Sequence, residues 1–111
     1  GLQVFKDGYW HDVTPVDGAF VINIGDMVQV WSNDTYRAAL HRVLAMENAE
    51  RFSIPFFYNP SYSAIVKPLE CASEPHRYNE IDWGEFRRRR ADGDYADVGK
   101  EVQIADYRVA G

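Results

Sequence analysis

Three side chains in this sequence could do chemistry together: His41, Arg51 and Ser53, within the string HRVLAMENAERFS of residues 41–53. Imidazole is a common ligand for a transition metal. Arg51 and Ser53 are two residues apart, which on a strand puts them on one face. A guanidinium and a hydroxyl so placed can grip a carboxylate, the guanidinium in bidentate fashion. Without further context the plainer reading is favoured: His41 is a strand histidine bonded to backbone, Arg51 sits in a surface ion pair and Ser53 is neutral. What these residues do depends on whether they face one cavity.

The elements that must position them follow from periodicity and turn chemistry. Residues 2–6 and 9–13 are β-prone, and Asp7-Gly8 between them is a two-residue hairpin signal, because both residues tolerate positive φ. Residues 19–24 are almost continuously β-branched or aromatic, which predicts a strand buried on both faces or central in a sheet. Residues 27–32 predict one helical turn or an irregular corner, with Asp26 at its cap and Met27, Val30 and Trp31 in the core. Asn33-Asp34 is a further turn. Residues 37–46 predict a strand with Arg37, Ala39, His41, Val43 and Ala45 on one face. Residues 47–50 predict a polar turn. Residues 51–58 predict another strand, at an edge or bulged at Pro55, which cannot donate to a ladder. Residues 60–79 hold three of the five prolines and predict a long ordered loop. A helix is expected over residues 80–90, packing through Ile81, Trp83 or Gly84, and Phe86. Asn79 is its expected cap and Gly93 its stop. Val102, Ile104 and Tyr107 are the expected anchors of the tail.

Composition narrows the function classes. The 111 residues suffice for one domain, and 46% hydrophobic with 14% aromatic residues marks a core-forming chain. A net charge of −5 argues against a nucleic-acid partner. The basic run 87–90 is expected to be a solvated helix face, flanked as it is by Glu85 and Asp92. The single cysteine, Cys71, excludes an intrachain disulfide and is not placed for nucleophilic work. No apolar run approaches the ~20 residues of a membrane span, so a soluble cytoplasmic protein is expected. His11 is expected to be an exposed strand residue and His76 a surface histidine.

Taken together, the motifs resemble one family. They are Gly1-Leu2-Gln3-Val4 with the Asp7-Gly8 hairpin, then the string from Gly25-Asp26 to Ser32-Asn33. His41-Arg42-Val43, Arg51-Phe52-Ser53 and the run from Phe56 to Pro60 complete the set. The spaced set is similar to the Fe(II)- and 2-oxoglutarate-dependent dioxygenases of the isopenicillin-N-synthase-like superfamily. It covers residues 1 to about 70, and residues 93–97 with 102–104 look like the C-terminal extension of some members.

The resemblance implies an all-β core with a C-terminal helix, the core being part of a double-stranded β-helix (a cupin-like jelly roll). Its strands would occupy about residues 1–60, and a loop and helical extension about 61–111, all of one domain. It implies Fe(II) as cofactor, with His41 as the distal iron ligand, and 2-oxoglutarate as cosubstrate, held by Arg51 and Ser53. The implied reaction uses O2 to oxidise a small organic substrate, with 2-oxoglutarate converted to succinate and CO2. Two further ligands would come from a His-x-Asp motif before Gly1, and no His-x-Asp or His-x-Glu exists in this sequence. His11-Asp12 cannot substitute, since adjacent strand residues point to opposite faces. The expectation is therefore that the site needs an N-terminal part of the domain, and that these residues alone are inactive. Two alternatives stand beside this: an oxidase like isopenicillin N synthase that does not use 2-oxoglutarate, and a non-catalytic truncated relative acting as a binding module. The substrate is not specified by the motifs.

Overall fold

The structure, a computed structural model, describes residues 1–45, 50–72, 74–96 and 101–110. Strand β1 (Leu2–Lys6) turns through Asp7 and Gly8, at φ 52° and 84°, into β2 (Tyr9–Asp12). That is the hairpin expected from Asp-Gly, whose residues accept left-handed backbone. Strand β3 (His41–Val43) adds to the other edge of β1, giving an antiparallel sheet of order β2-β1-β3. Gln3 pairs with both Asp12 and Arg42, and Val4 with both His11 and His41. Side chains alternate across a strand, so the first set shares one face. There the Gln3 amide donates to Asp12 at 2.9 Å, the Arg42 Nε donates to Gln3 at 2.9 Å, and the Arg42 guanidinium lies 3.9 Å from the Trp10 ring centroid. His11, Val4 and His41 form a row on the other face.

The buried core draws on none of these strands. Helix α1 (Asp26–Trp31) buries Met27 and Val30 with Trp31 packed alongside, as the helical spacing predicts. The short strands β4 (Ile65–Val66) and β5 (Ile81–Asp82) pair antiparallel and contribute Val66 and Ile81. Helix α2 (Trp83–Ala96) adds Trp83 and Phe86, whose rings stack 5.9 Å apart. Val102 closes the core, and a 3-10 turn, Ile104–Tyr107, packs Ile104 and Tyr107 against it. The tail anchors are those expected. No described helix is long and apolar enough to cross a membrane.

Several expectations are corrected. Neither residues 19–24 nor residues 51–58 form a strand. Phe20 is 95% exposed and Ile54 96%, although both segments have the composition of buried strands. A strand needs a neighbour for its backbone, and among the described residues none pairs with these two. The strand expected over 37–46 shortens to β3, because the Ala38 N–H bonds to the Gln29 side chain at 2.9 Å instead of a ladder. The polar turn expected at 47–50 lies, except for Glu50, outside the described residues. Asp26 does not cap α1: it is the first helical residue, after Gly25, and its carboxylate pairs with Arg90 at 2.7 Å. Nor does Asn79 cap α2. The Asp82 carboxylate accepts the Glu85 N–H at 2.9 Å, three residues into the chain ahead, which is the geometry of an N-cap. Gly93 does not stop the helix. It sits within α2 where Glu101 crosses so closely that a Cβ would lie 2.8 Å from the Glu101 Cα.

The Arg87–Arg90 run is largely the solvated face expected. Arg87, Arg88 and Arg89 are exposed, with Arg88 paired to Glu85 and Asp92, while half-buried Arg90 joins Asp26 to Glu101.

Phe86 is 1% exposed and touches Trp83, Tyr107 and Arg90. Phe86→Ala is expected to cost about 3–5 kcal/mol, read as a lowered denaturant midpoint at an unchanged slope. Arg89→Ala, on the solvated face, should stay within about 0.5 kcal/mol.

Candidate metal-ligand and carboxylate-binding site

His41 begins β3, opposite Val4, with an exposed side chain. Its Nδ1 lies 3.0 Å from the Ala39 carbonyl oxygen. A carbonyl only accepts, so Nδ1 carries the proton and the neutral ring keeps its lone pair on Nε2. This tautomer suits metal ligation, in which the second ring nitrogen typically donates to a carbonyl or carboxylate. The segment of β1 holds the backbone here at two points. Leu40 accepts the Phe5 N–H at 2.8 Å, and the Leu44 N–H donates to Gly1 at 2.8 Å, which extends the β1-β3 ladder past both ends of β3.

Arg51 and Ser53 lie in the exposed segment 50–59. Among the described residues neither makes a hydrogen bond or ion pair, and no described contact joins either to His41. His11 shares the row of His41 across β1, but its Nε2 is 3.2 Å from the Lys6 carbonyl oxygen, within its own hairpin. His76 has Nε2 2.8 Å from a Glu74 carboxylate oxygen. Cys71 is exposed and lines a groove of about 570 Å³ with Trp31, Ile65, Lys67 and Leu69, which touches none of the three candidate residues.

A buried polar assembly around Asp34 escaped sequence reasoning. Asn33 and Asp34 end α1 in left-handed backbone, at φ 51° and 71°, and both are buried. The Asp34 carboxylate, its side chain 1% exposed, accepts two bonds from the Arg108 guanidinium at 2.6 and 3.1 Å. It also accepts from the Tyr78 hydroxyl at 2.6 Å, the Gln29 amide at 2.9 Å and Arg77 at 3.3 Å. Burial alone would push this carboxyl up, but the bonds from Arg108, Tyr78, Gln29 and Arg77 outweigh it and hold it well below the usual carboxylate range. Burial, together with the bond to Asp34, pushes the Tyr78 hydroxyl up. Asn33 ties the same corner to the loop, donating to the Pro75 carbonyl at 3.1 Å and accepting the Arg77 N–H at 2.8 Å. The sequence signal was two small polar residues directly after a helix. Apart from Gln29, the partners named here lie more than forty residues away.

For a ferrous ion, His41 fits as one ligand by tautomer and exposure. Among the described residues no group of three His, Cys, Asp or Glu side chains converges to complete a set.

Comparison with known proteins supplies the context. The family described as the 2OG-Fe(II) oxygenase superfamily matches residues 1–60. A 1-aminocyclopropane-1-carboxylate oxidase 5 of Arabidopsis thaliana is 49% identical, over 78% of this chain and 29% of the relative. A gibberellin 2-beta-dioxygenase 5 of Oryza sativa subsp. japonica is 36% identical, over 97% of this chain and 32% of the relative. The protein DMR6-LIKE OXYGENASE 2 of Arabidopsis thaliana is 50% identical, over 78% and 26%. The chain thus spans about a third or less of the length of these relatives.

Because the Asp34 carboxyl ionises more readily in the folded state than in the unfolded one, its stabilisation is complete above the unfolded carboxylate range. It is lost as pH falls below ~3.9, the ordinary Asp value. Asp34→Asn is expected to cost on the order of 3 kcal/mol at neutral pH and to flatten the acid limb of stability against pH, as measured by denaturant unfolding across that limb.

Proposed function

The chain belongs to the 2OG-Fe(II) oxygenase superfamily, and from that premise we propose that it is the portion of such an oxygenase that carries the distal iron ligand and the 2-oxoglutarate clamp. The observation that carries this reading is the His41 imidazole, with Nδ1–H engaged by the Ala39 carbonyl and the Nε2 lone pair left for a metal. His41 would hold Fe(II) through Nε2, and the other ligands it needs do not converge among the described residues. When bound, the iron supplies the activation of O2. Arg51 presents a permanently charged, planar fork to the distal carboxylate of 2-oxoglutarate, and Ser53 donates its hydroxyl to the same group. Both side chains are exposed and free of competing ion pairs among the described residues, which leaves them open to a ligand. The cosubstrate leaves as succinate and CO2 while a small organic substrate is oxidised.

The complete fold of this reading is a jelly roll. Residues 19–24 and 51–58, which form no strand among the described residues, would join it only where further chain pairs with them. The exposed apolar load supports this. Phe20, Ile22, Phe52, Ile54, Phe56 and Tyr58 are each more than 80% exposed, and a folded domain rarely leaves such a concentration in water. Pairing those segments would set Arg51 and Ser53 side by side on one sheet face.

One relative favours a second reading. The Arabidopsis protein named as an oxidase is named for a carboxylate substrate. In an enzyme of that kind, Arg51 and Ser53 would hold a substrate carboxylate, and 2-oxoglutarate would not be consumed.

In the intact chain, His41→Ala is expected to abolish iron-dependent turnover. Arg51→Ala should raise the KM for 2-oxoglutarate at least tenfold with a smaller change in kcat, measured as succinate formed. An unchanged KM would remove Arg51 from the clamp. Oxygen uptake that proceeds at full rate without 2-oxoglutarate would favour the oxidase.

A further inference from the structure

We infer that Gln29 is a positioning residue for His41, and that Arg108 in the tail governs it through Asp34. This rests on the reading of His41 as a metal ligand. The Gln29 amide on α1 is the junction. Its Nε2 donates to Asp34 at 2.9 Å and to the Tyr78 hydroxyl at 3.0 Å. An ionised carboxylate only accepts, so the nitrogen side of the amide must face Asp34. The oxygen side is thereby turned to the Ala38 N–H, which it accepts at 2.9 Å. A flipped amide would set oxygen against carboxylate and N–H against N–H. The charge of Asp34 therefore decides which way Gln29 points.

Ala38 immediately precedes Ala39, whose carbonyl fixes the His41 ring at 3.0 Å. On the far side, the Leu40 carbonyl is held by the Phe5 N–H at 2.8 Å. The carbonyl that selects the tautomer of His41 thus lies between two backbone anchors, one from β1 and one from Gln29. Residues 37–40 are outside any strand and, apart from half-buried Ala38, exposed, so the Gln29 anchor is not duplicated by packing. Arg108 enters because its fork supplies two of the bonds that keep the Asp34 carboxylate ionised and in place. The link runs from Arg108 through Asp34 and Gln29 to Ala38, Ala39 and His41.

The test reads the imidazole directly, in the metal-free intact chain at a pH above the imidazole's ordinary titration. Nitrogen-15 spectra should show His41 with a protonated Nδ1 and a bare Nε2. Gln29→Met, close in size, should turn this into a mixture of tautomers while far-UV circular dichroism stays the same, and should weaken Mn(II) binding about tenfold. Arg108→Lys keeps the charge but loses the fork, and should move the His41 signals in the same direction by less. A folded Gln29→Met protein whose His41 tautomer is unchanged would overturn the inference. Where Gln29→Met does not fold, the half-exposed Arg108 decides: unchanged His41 signals in Arg108→Lys count against the link. His41→Ala separates this inference from its premise. If that variant binds Mn(II) as tightly as the parent, the ligand reading fails, while the tautomer result still stands for or against Gln29.

Discussion

A buried carboxylate organises the described part of this molecule. Taking Asp34 out of water is costly, and the cost is offset only because four side chains from three parts of the chain meet it. Gln29 comes from α1, Arg77 and Tyr78 from the loop after residue 60, and Arg108 from the tail. The guanidinium also lies 4.4 Å from the Tyr78 ring centroid, so the same ring serves as a hydrogen-bond donor and as a face for the cation. Without that meeting, the tail would keep Val102, the 3-10 turn and its backbone bonds to residues 77 and 79 but lose its buried charged anchor, and the chain leading to β3 would lose the amide that turns it.

The two ends of the chain therefore differ in what holds them. Around α1, β4, β5 and α2 the apolar side chains find one another, and Val30, Val66 and Ile81 are fully enclosed. The three-stranded sheet is held instead by its ladder and by the polar and cation–π contacts of Gln3, Asp12, Arg42 and Trp10 on one face. Those contacts fix the register of β3, and with it the position of His41 opposite Val4. A slip of one residue would move the imidazole to the other face.

Much of this was legible in the residues. Asp7-Gly8 announces its hairpin because few residues accept left-handed backbone. Met27 and Val30, like Trp83 and Phe86, announce their burial by helical spacing, whereas Ile81, read into the same helix, is buried from β5. The candidate site was legible only as a set of side-chain types: His41 by its ligand chemistry, and Arg51 and Ser53 by their spacing of two. Asp34 was legible merely as a turn residue, since nothing local distinguishes a solvated turn aspartate from one that buries its charge against Arg108. The helix cap misled for the same reason. Asn79 has the right chemistry, yet its N–H is taken by the Tyr107 carbonyl at 2.8 Å, and Asp82 takes the capping role.

What the sequence by itself determined is local: turns, helix-forming stretches, the apolar positions of the core and the identity of the side chains able to bind a metal or a carboxylate. These depend on backbone sterics and on the period of the pattern, both of which act within a few residues. Tertiary structure alone decided where strands begin and end, because a ladder exists only when a second segment arrives. Residues 2–6 have such a partner, and residues 51–58, with a strand's composition, have none among the described residues. It also decided that Asp34 would carry a buried charge, since that outcome needs groups distant in sequence to meet where water is excluded.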